Sequence, residues 1–436
     1  MCINILLGNF QIIYSVCLMA IILAYYLYIY FKMQGRRGME IFSGGKQSSS
    51  HFFVFHGRAK SYFFICLVNI ILSVITLGIF IPWAWVRSRR YFCENMEVNG
   101  NRFAYHGRGF TILLSWLLMF IVLVLLSLAL AIFSPGSEGL ETLAFLILLP
   151  VMVMKGLSYH ANMTSFANIR FGFKCNLLRA WWIMLGLPLL IVVLMAVILF
   201  IPGSRLWLGF SINGMLVGFV ALFLLALCVM AAASGVVYSH WLELIGKGGN
   251  LGKTKFNIYI STKRCIVAFL WATVILLPFM ILFLGFFISA FMQFFTGCMF
   301  GMCNENTALF MALRHLSAVL SGYLSLTIGI VLAMAFIRVA LRNHAWNNLV
   351  LGDSIRFRST LTFFGLAPRL LALTFLSPLT LGLAYPWLKI NLMRYIAANT
   401  EVIGDFETLD LQQDEACQPP VAGKLCSGFL PNLPFL

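Results

Sequence analysis

Apolar residues fill long blocks of this chain, and short polar segments rich in basic and aromatic residues separate the blocks. The three middle blocks, residues 109–154, 180–246 and 265–337, each have room for two helical spans of about 20 residues, the length that crosses a bilayer. The outer blocks are shorter, since residues 61–86 number only 26. The pattern predicts three full transmembrane hairpins flanked by two short ones.

The same motifs recur along the chain. Residues 72–100 align without a gap on residues 376–404, and thirteen of the twenty-nine positions are identical, including prolines, tryptophans and glycines. Weaker copies lie between, and each copy opens with a short alternating aromatic stretch typical of a strand or an interfacial ribbon. This indicates five modules, which begin near Phe53, Phe103, Phe171, Phe256 and Phe357.

These observations predict an all-α membrane protein of five pseudo-repeated helical hairpins in parallel orientation, with short aromatic strand-like interfacial segments between the modules. The junctions between modules are basic and the intervening turns are nearly free of Lys and Arg. Basic loops stay on the cytoplasmic side of a membrane, so we expect the junctions and the C-terminus there. The short hairpins would be re-entrant or would thin the bilayer, and would pack on each other or on the middle hairpins.

Composition agrees with a membrane protein. Of the 436 residues, 61% are hydrophobic and 10% charged, against about 45–50% and about 25% in soluble domains. The net charge of +16 would suit nucleic acid, but positive-inside loops produce the same excess, so we expect no nucleic-acid partner. Three regions follow: residues 1–38 with one possible transmembrane helix, a membrane domain at residues 51–409, and a cytoplasmic tail at residues 410–436.

The chain resembles the YjgN-like family of bacterial inner-membrane proteins, a domain of unknown function. The motifs that carry the resemblance include the Phe-Val-Phe-His-Gly of residues 53–57, the Thr-Leu-Gly-Ile-Phe-Ile-Pro-Trp of residues 76–83 and the Asn-Met-Glu-Val-Asn-Gly of residues 95–100. The resemblance implies a bacterial inner-membrane location and brings no activity. Family members begin shortly before the Phe53 segment, which favours a translation start at Met33 or Met39 over a native N-terminal helix.

Repeated polar residues near the helix ends are the candidate site. His160, His240 and His344 occupy similar places in the middle modules, where they could form a proton relay or metal site or simply collect at the membrane interface. Asn95, Asn347 and Asn399 each precede a glycine by five positions. They could line a vestibule, but helix capping is the better interpretation, with Gly100, Gly352 and Gly404 at positive φ.

Two functions fit these residues. The leading hypothesis is passage of a small solute through a pathway lined by Asn95, His160, His240, Asn347 and Asn399. The alternative is a non-transporting protein that binds lipids or partner proteins through its basic cytoplasmic face, with headgroup contacts at Arg87, Arg89 and Arg90. We expect no enzymatic activity, cofactor or metal, because catalytic motifs and paired buried carboxylates are missing. The sequence predicts no oligomeric state.

Overall fold

Long apolar helices rise from a sheet of short strands in the structure, a computed structural model that describes residues 50–133, 138–206, 212–299, 305–352, 354–404 and 421–428. The predicted N-terminal helix lies outside these residues, as do residues 410–420 and 429–436 of the predicted tail. Leu and Ile dominate the helical blocks, and a helix satisfies its own backbone hydrogen bonds where no water can do so. Tight turns with positive φ separate the strands.

Two classes of helix are present. Six helices in the described part of the chain are long and apolar enough to cross a membrane. They agree with the six spans predicted for the middle blocks, and they are α3 (Gly109–Phe133), α4 (Glu138–Asn162), α5 with α6 (Leu177–Trp181 and Leu187–Leu206, joined by a π-helical turn), α7 (Ile212–Gly248), α8 (Thr262–Met299) and α9 (Glu305–Asn347). The shorter helices are α1 (Ala59–Ile75), α2 (Ile81–Glu94), α10 (Phe363–Leu379), α11 (Tyr385–Ala398) and α12 (Val421–Leu425).

The strands are two to five residues long and alternate with helical hairpins along the chain. They are β1 (Ser50–Phe52), β2 (Val54–Phe55), β3 (Met96–Val98), β4 (Asn101–Tyr105), β5 (Thr164–Phe166), β6 (Ile169–Phe173), β7 (Gly249–Leu251), β8 (Thr254–Ile258), β9 (Leu349–Leu351), β10 (Ile355–Ser359) and β11 (Thr400–Ile403). Each helical hairpin except the last is followed by a tight β-hairpin. In the first, Asn99 and Gly100 both have positive φ, as a two-residue hairpin turn with the twist of its strands requires.

All eleven strands of the described part of the chain join one antiparallel sheet, so the prediction of an all-α protein with separate strand-like segments is wrong. The strand order is β1-β11-β10-β9-β8-β7-β6-β5-β4-β3-β2. Its two ends, β1 and β2, are neighbours in the chain with only Phe53 between them. The sheet therefore returns on itself as a near-barrel. The physical reason is that each short strand leaves backbone groups unpaired, and pairing with the next hairpin satisfies them.

The first and last helical hairpins lie side by side. The rings of Phe63 in α1 and Trp387 in α11 are 5.3 Å apart between centroids. Arg394, near the end of α11, donates to the carbonyl of Gly57 just before α1, at 2.9 Å. The expected packing of the two short hairpins on each other is thus present, and it closes the helical layer where β1 meets β11.

Candidate functional site

The inside of the sheet is filled by apolar side chains. Five phenylalanines, one from the start of each predicted module, pack against seven buried residues there. We call Phe53, Phe103, Phe171, Phe256 and Phe357 the phenylalanine cluster. Successive rings stack at 6.2–6.4 Å from Phe53 to Phe256, and the Phe256 and Phe357 rings are 6.1 Å apart. Trp346 contacts both Phe357 and Phe53 edge-on, which completes the circle.

Basic side chains alternate with this cluster along the strands. Successive residues of a strand point to opposite faces. The residue before each cluster phenylalanine on β4, β6, β8 and β10 therefore faces outward, and on β10 the residue after the phenylalanine faces outward as well. These outward residues are all cationic and form what we call the basic belt: Arg102, Arg170, Lys255, Arg356 and Arg358. Glu97 pairs with Arg102 at 3.2 Å and Glu401 with Arg358 at 3.1 Å. Such half-exposed pairs contribute about 0–1 kcal/mol each, and five cations less these two carboxylates leave the belt with three net positive charges.

Arginines at the ends of the second helices hold the linkers that follow the strands. Arg90 donates from Nε to the carbonyl of Tyr105 at 3.3 Å and from Nη2 to that of Gly107 at 3.4 Å. In the linker, a Cβ on Gly107 would lie 2.5 Å from the Tyr105 hydroxyl. This explains why a glycine follows the aromatic residue by two positions in the repeated motif.

The three arginines predicted to contact lipid differ in their surroundings. Arg87 and Arg90 are exposed. Arg89 instead lies between two aromatic rings, with its guanidinium carbon 5.3 Å from the Trp85 ring and 5.0 Å from the Tyr105 ring. Its Nε is buried without a hydrogen-bond acceptor. The headgroup role of these arginines stays a prediction.

His160 is fully buried in a polar cluster rather than exposed in a cavity. Its Nε2 donates to the carbonyl of Ser427 at 2.7 Å, and its Nδ1 lies 2.7 Å from the Tyr105 hydroxyl. In a neutral imidazole that donates from Nε2, Nδ1 is an acceptor, so the Tyr105 hydroxyl donates to it. Burial raises the pKa of Tyr105, and Arg89 partly opposes that rise, so Tyr105 stays protonated at neutral pH.

The partner of His160 belongs to the C-terminal segment, which the sequence did not place here. Residues 421–428 dock between α3 and α4. Ser115 donates to the carbonyl of Leu425 at 2.6 Å, Trp116 donates to that of Gly428 at 3.2 Å, and Ser427 is 1% exposed. The available sequence signal was the Ser-Trp pair at 115–116, two adjacent hydrogen-bonding side chains in a mostly apolar helix.

The other predicted pathway residues have local partners. His240 Nδ1 donates to the carbonyl of Val236 at 2.9 Å, and Asn347 accepts from the Ser359 backbone N–H at 2.8 Å. Asn95 and Asn399 are C-cap residues of α2 and α11, so the capping interpretation is confirmed for both. No hydrogen bond or ring contact joins any two of Asn95, His160, His240, Asn347 and Asn399, all of which the structure describes. Their pathway-lining role stays a prediction.

A shallow open cleft lies between α10 and α11. Its volume is about 310 Å³, and it is lined by Pro368, Arg369, Ala372, Leu388 and Asn391. The Arg369 guanidinium lies 4.1 Å from the Tyr395 ring centroid. Among the described residues no group of three His, Cys, Asp or Glu side chains could hold a metal ion. The cleft presents one cation and one amide beside apolar side chains, and Arg369 already donates to Asn391 and to the carbonyl of Gly365.

Fold and composition together define a multi-helix membrane protein with a closed sheet at its basic end. Residues 50–425 match the family described as bacterial protein of unknown function, DUF898, and the chain belongs to this family. The resemblance found in the sequence is thereby confirmed. No solved structure matches the chain.

Curated relatives cover most of the chain. The chain is 37% identical over 400 residues to "Inner membrane protein YjgN" of Salmonella typhimurium. This alignment covers 90% of this chain and 98% of the relative. The chain is 34% identical over 392 residues to the protein of the same name from Escherichia coli K12, covering 89% and 97%. These relatives carry a location in their names and no activity.

Proposed function

We propose that this is an inner-membrane protein whose basic belt binds the anionic headgroups of the cytoplasmic leaflet. The observation that carries the proposal is the alternation on β4, β6, β8 and β10. On each of these strands a phenylalanine packs inside the sheet, and a cation precedes it on the outer face. A closed sheet holds these cations at one level around its circumference, as a planar charged surface requires.

The charge of the basic belt is large enough to contribute to binding at an acidic leaflet. A basic residue near an acidic leaflet contributes about 1 kcal/mol, so the five residues of the belt would supply roughly 5 kcal/mol before the two ion pairs with Glu97 and Glu401 are subtracted. The exposed Arg87 and Arg90 add to this. The names of the relatives support the inner-membrane location, and positive-inside statistics support a cytoplasmic basic end.

The filled sheet favours binding over solute passage. A solute moving along the axis of the sheet would meet the phenylalanine cluster and the buried residues Val98, Phe166, Ile169, Leu251, Leu351, Ile355 and Val402. Those side chains would have to move apart, and close-packed interiors resist this. Passage by another route would show as flux through proteoliposomes, and that flux would fall when His160 and His344 are both changed to Ala.

The test compares the full chain with a quadruple variant and a triple variant in detergent. The quadruple variant neutralises four of the five belt residues (R102Q, R170Q, K255Q and R356Q), and the matched triple control keeps the charge (R102K, R170K and R356K with Lys255 unchanged). We expect phosphatidylglycerol to raise the Tm of the parent and the lysine control, and phosphatidylcholine to do so much less. The neutral variant should need at least tenfold more phosphatidylglycerol for the same shift. An unchanged response in a folded neutral variant would contradict the proposal.

A further inference from the structure

In each short hairpin the two helices are joined by a turn of the same type, and the most exposed residue of each turn is a leucine. Leu77 has 94% of its surface exposed and Leu381 has 92%. Each adopts a left-handed backbone, with φ of 49° and 51°, and a glycine with positive φ follows each. A left-handed L-residue costs roughly 1–2 kcal/mol, and Asn or Gly would occupy this position more readily. The leucines therefore serve a purpose that a water-exposed turn would not need.

The turns leave few polar groups for water. Thr76 donates from Oγ1 to the carbonyl of Leu72 at 2.7 Å and accepts from the Phe80 backbone N–H at 3.0 Å. Thr380 makes the equivalent bonds to Leu376 and Ala384, at 2.7 and 3.1 Å. Internal satisfaction of this kind is what a turn needs inside hydrocarbon.

The returning arms are too short for the turns to cross a bilayer. In α2, which begins at Ile81, the first cation is Arg87; six residues precede it, about 9 Å at 1.5 Å per residue. In α11, which begins at Tyr385, the first cation is Lys389, about 6 Å along the helix. The hydrocarbon core is about 30 Å thick. With the cations near the headgroups, each turn reaches only into the nearer leaflet.

The two turns belong to neighbouring hairpins, which are in contact through Phe63 and Trp387. The exposed side chains around both turns are apolar. Side chains more than half exposed near the turns are Val74, Ile75, Leu77, Ile79, Leu379, Leu381 and Leu383. The six candidate spans rise from the same sheet as the short hairpins, so we expect lipid around this surface once the spans are in a membrane.

We propose that the paired turns form an apolar wedge that inserts into the acyl region of the sheet-side leaflet without crossing it. Such a wedge adds area to one leaflet only, so the protein would favour thin or loosely packed bilayers. The wedge contacts acyl chains and not headgroups. The wedge proposal can therefore be tested independently of headgroup binding by the basic belt.

The test places a fluorescent unnatural amino acid at Leu77 or Leu381 in the full chain, reconstituted in phosphatidylcholine vesicles without anionic lipid. We expect strong quenching by lipids with brominated acyl chains and little quenching by iodide added to either side. Leu178, which is 79% exposed at the start of α5 near the sheet, is the shallow control and should respond to iodide. Probes at Ile79 and Leu379 repeat the measurement without replacing the left-handed residues.

Each other outcome overturns the wedge. Iodide quenching from the side opposite Leu178 would mean that the hairpins span the bilayer. Iodide quenching from the Leu178 side would mean that the turns lie in water. A probe that neither quencher reaches would mean that protein covers the turns, as in a dimer of two copies, and cross-linking between probes would then identify the second copy.

Discussion

Arg394 donates from Nη2 to the carbonyl of Gly57 at 2.9 Å, across 337 positions of the chain. Arg90 makes the corresponding bond to Gly107. Each arginine comes from the end of a second helix and holds the linker between a strand and the first helix of a hairpin. The bond from Arg394 joins the second helix of the last hairpin to the first linker, so it closes the molecule at the point where β1 meets β11.

Changing Arg394 to Ala should destabilise the protein more than changing an exposed arginine. Hydrogen bonds to charged groups contribute about 1.5–3 kcal/mol, and the Gly57 carbonyl would lose its donor. Thermal unfolding in detergent measures the effect as a lower Tm. Arg87→Ala is the matched control, because Arg87 is exposed in the same kind of helix, and its Tm should stay close to the parent value. Equal Tm values for the two variants would mean that the bond from Arg394 is dispensable.

Gly107→Ala should be strongly destabilising although alanine is small. The added Cβ would lie 2.5–2.6 Å from the hydroxyl and ring carbons of Tyr105, so the ring that donates to His160 would have to move. Overpacking of this kind costs about 1–3 kcal/mol. Gly285→Ala is the control, since a Cβ there meets nothing within 4 Å and alanine favours the helix by up to about 1 kcal/mol. The two variants should shift the Tm in opposite directions.

The phenylalanine cluster should behave as a core although its members lie on very short strands. Phe103→Ala removes a ring that stacks on Phe53 and Phe171, and truncation of a core phenylalanine costs about 3–5 kcal/mol. Phe52→Ala should be near neutral in detergent, because Phe52 is 55% exposed on the outer face. Urea unfolding followed by tryptophan fluorescence compares the two. Similar midpoints would contradict a shared core inside the sheet.

The helices and the positions of the strands could be predicted from the sequence, but the closed sheet could not. Membrane spans can be predicted directly from the apolar blocks, because the length and hydropathy of a block are local properties of the sequence. The alternating stretch at Phe256 likewise predicts β8. Whether Phe256 stacks on Phe171, and whether β1 pairs with β11, depends on contacts between residues far apart in the chain, and no local pattern of two to five residues specifies them.

The candidate site shows the same division. Capping by Asn95 and Asn399 was predictable because the partner lies four residues away, at Tyr91 and Tyr395. The stacking of Arg89 on Trp85 and Tyr105 was not, since Tyr105 lies beyond a β-turn. Docking of Ser427 on His160 spans 267 positions, and the Ser-Trp pair at 115–116 indicates hydrogen bonding there without specifying the partner.

Gly428→Val should release the docked C-terminal segment. A Cβ on Gly428 would overlap Trp116 Cδ1, and the bonds from Ser115, Trp116 and His160 to the segment would break together. His160 would then lose its acceptor, but the apolar spans should stay folded because their own contacts are unchanged. Hydrogen exchange followed by mass spectrometry should show fast exchange at residues 421–428 in the variant and slow exchange in the parent. Lys424→Ala, at an exposed position of the same segment, should exchange like the parent; fast exchange in the parent itself would show that the segment is not held between α3 and α4.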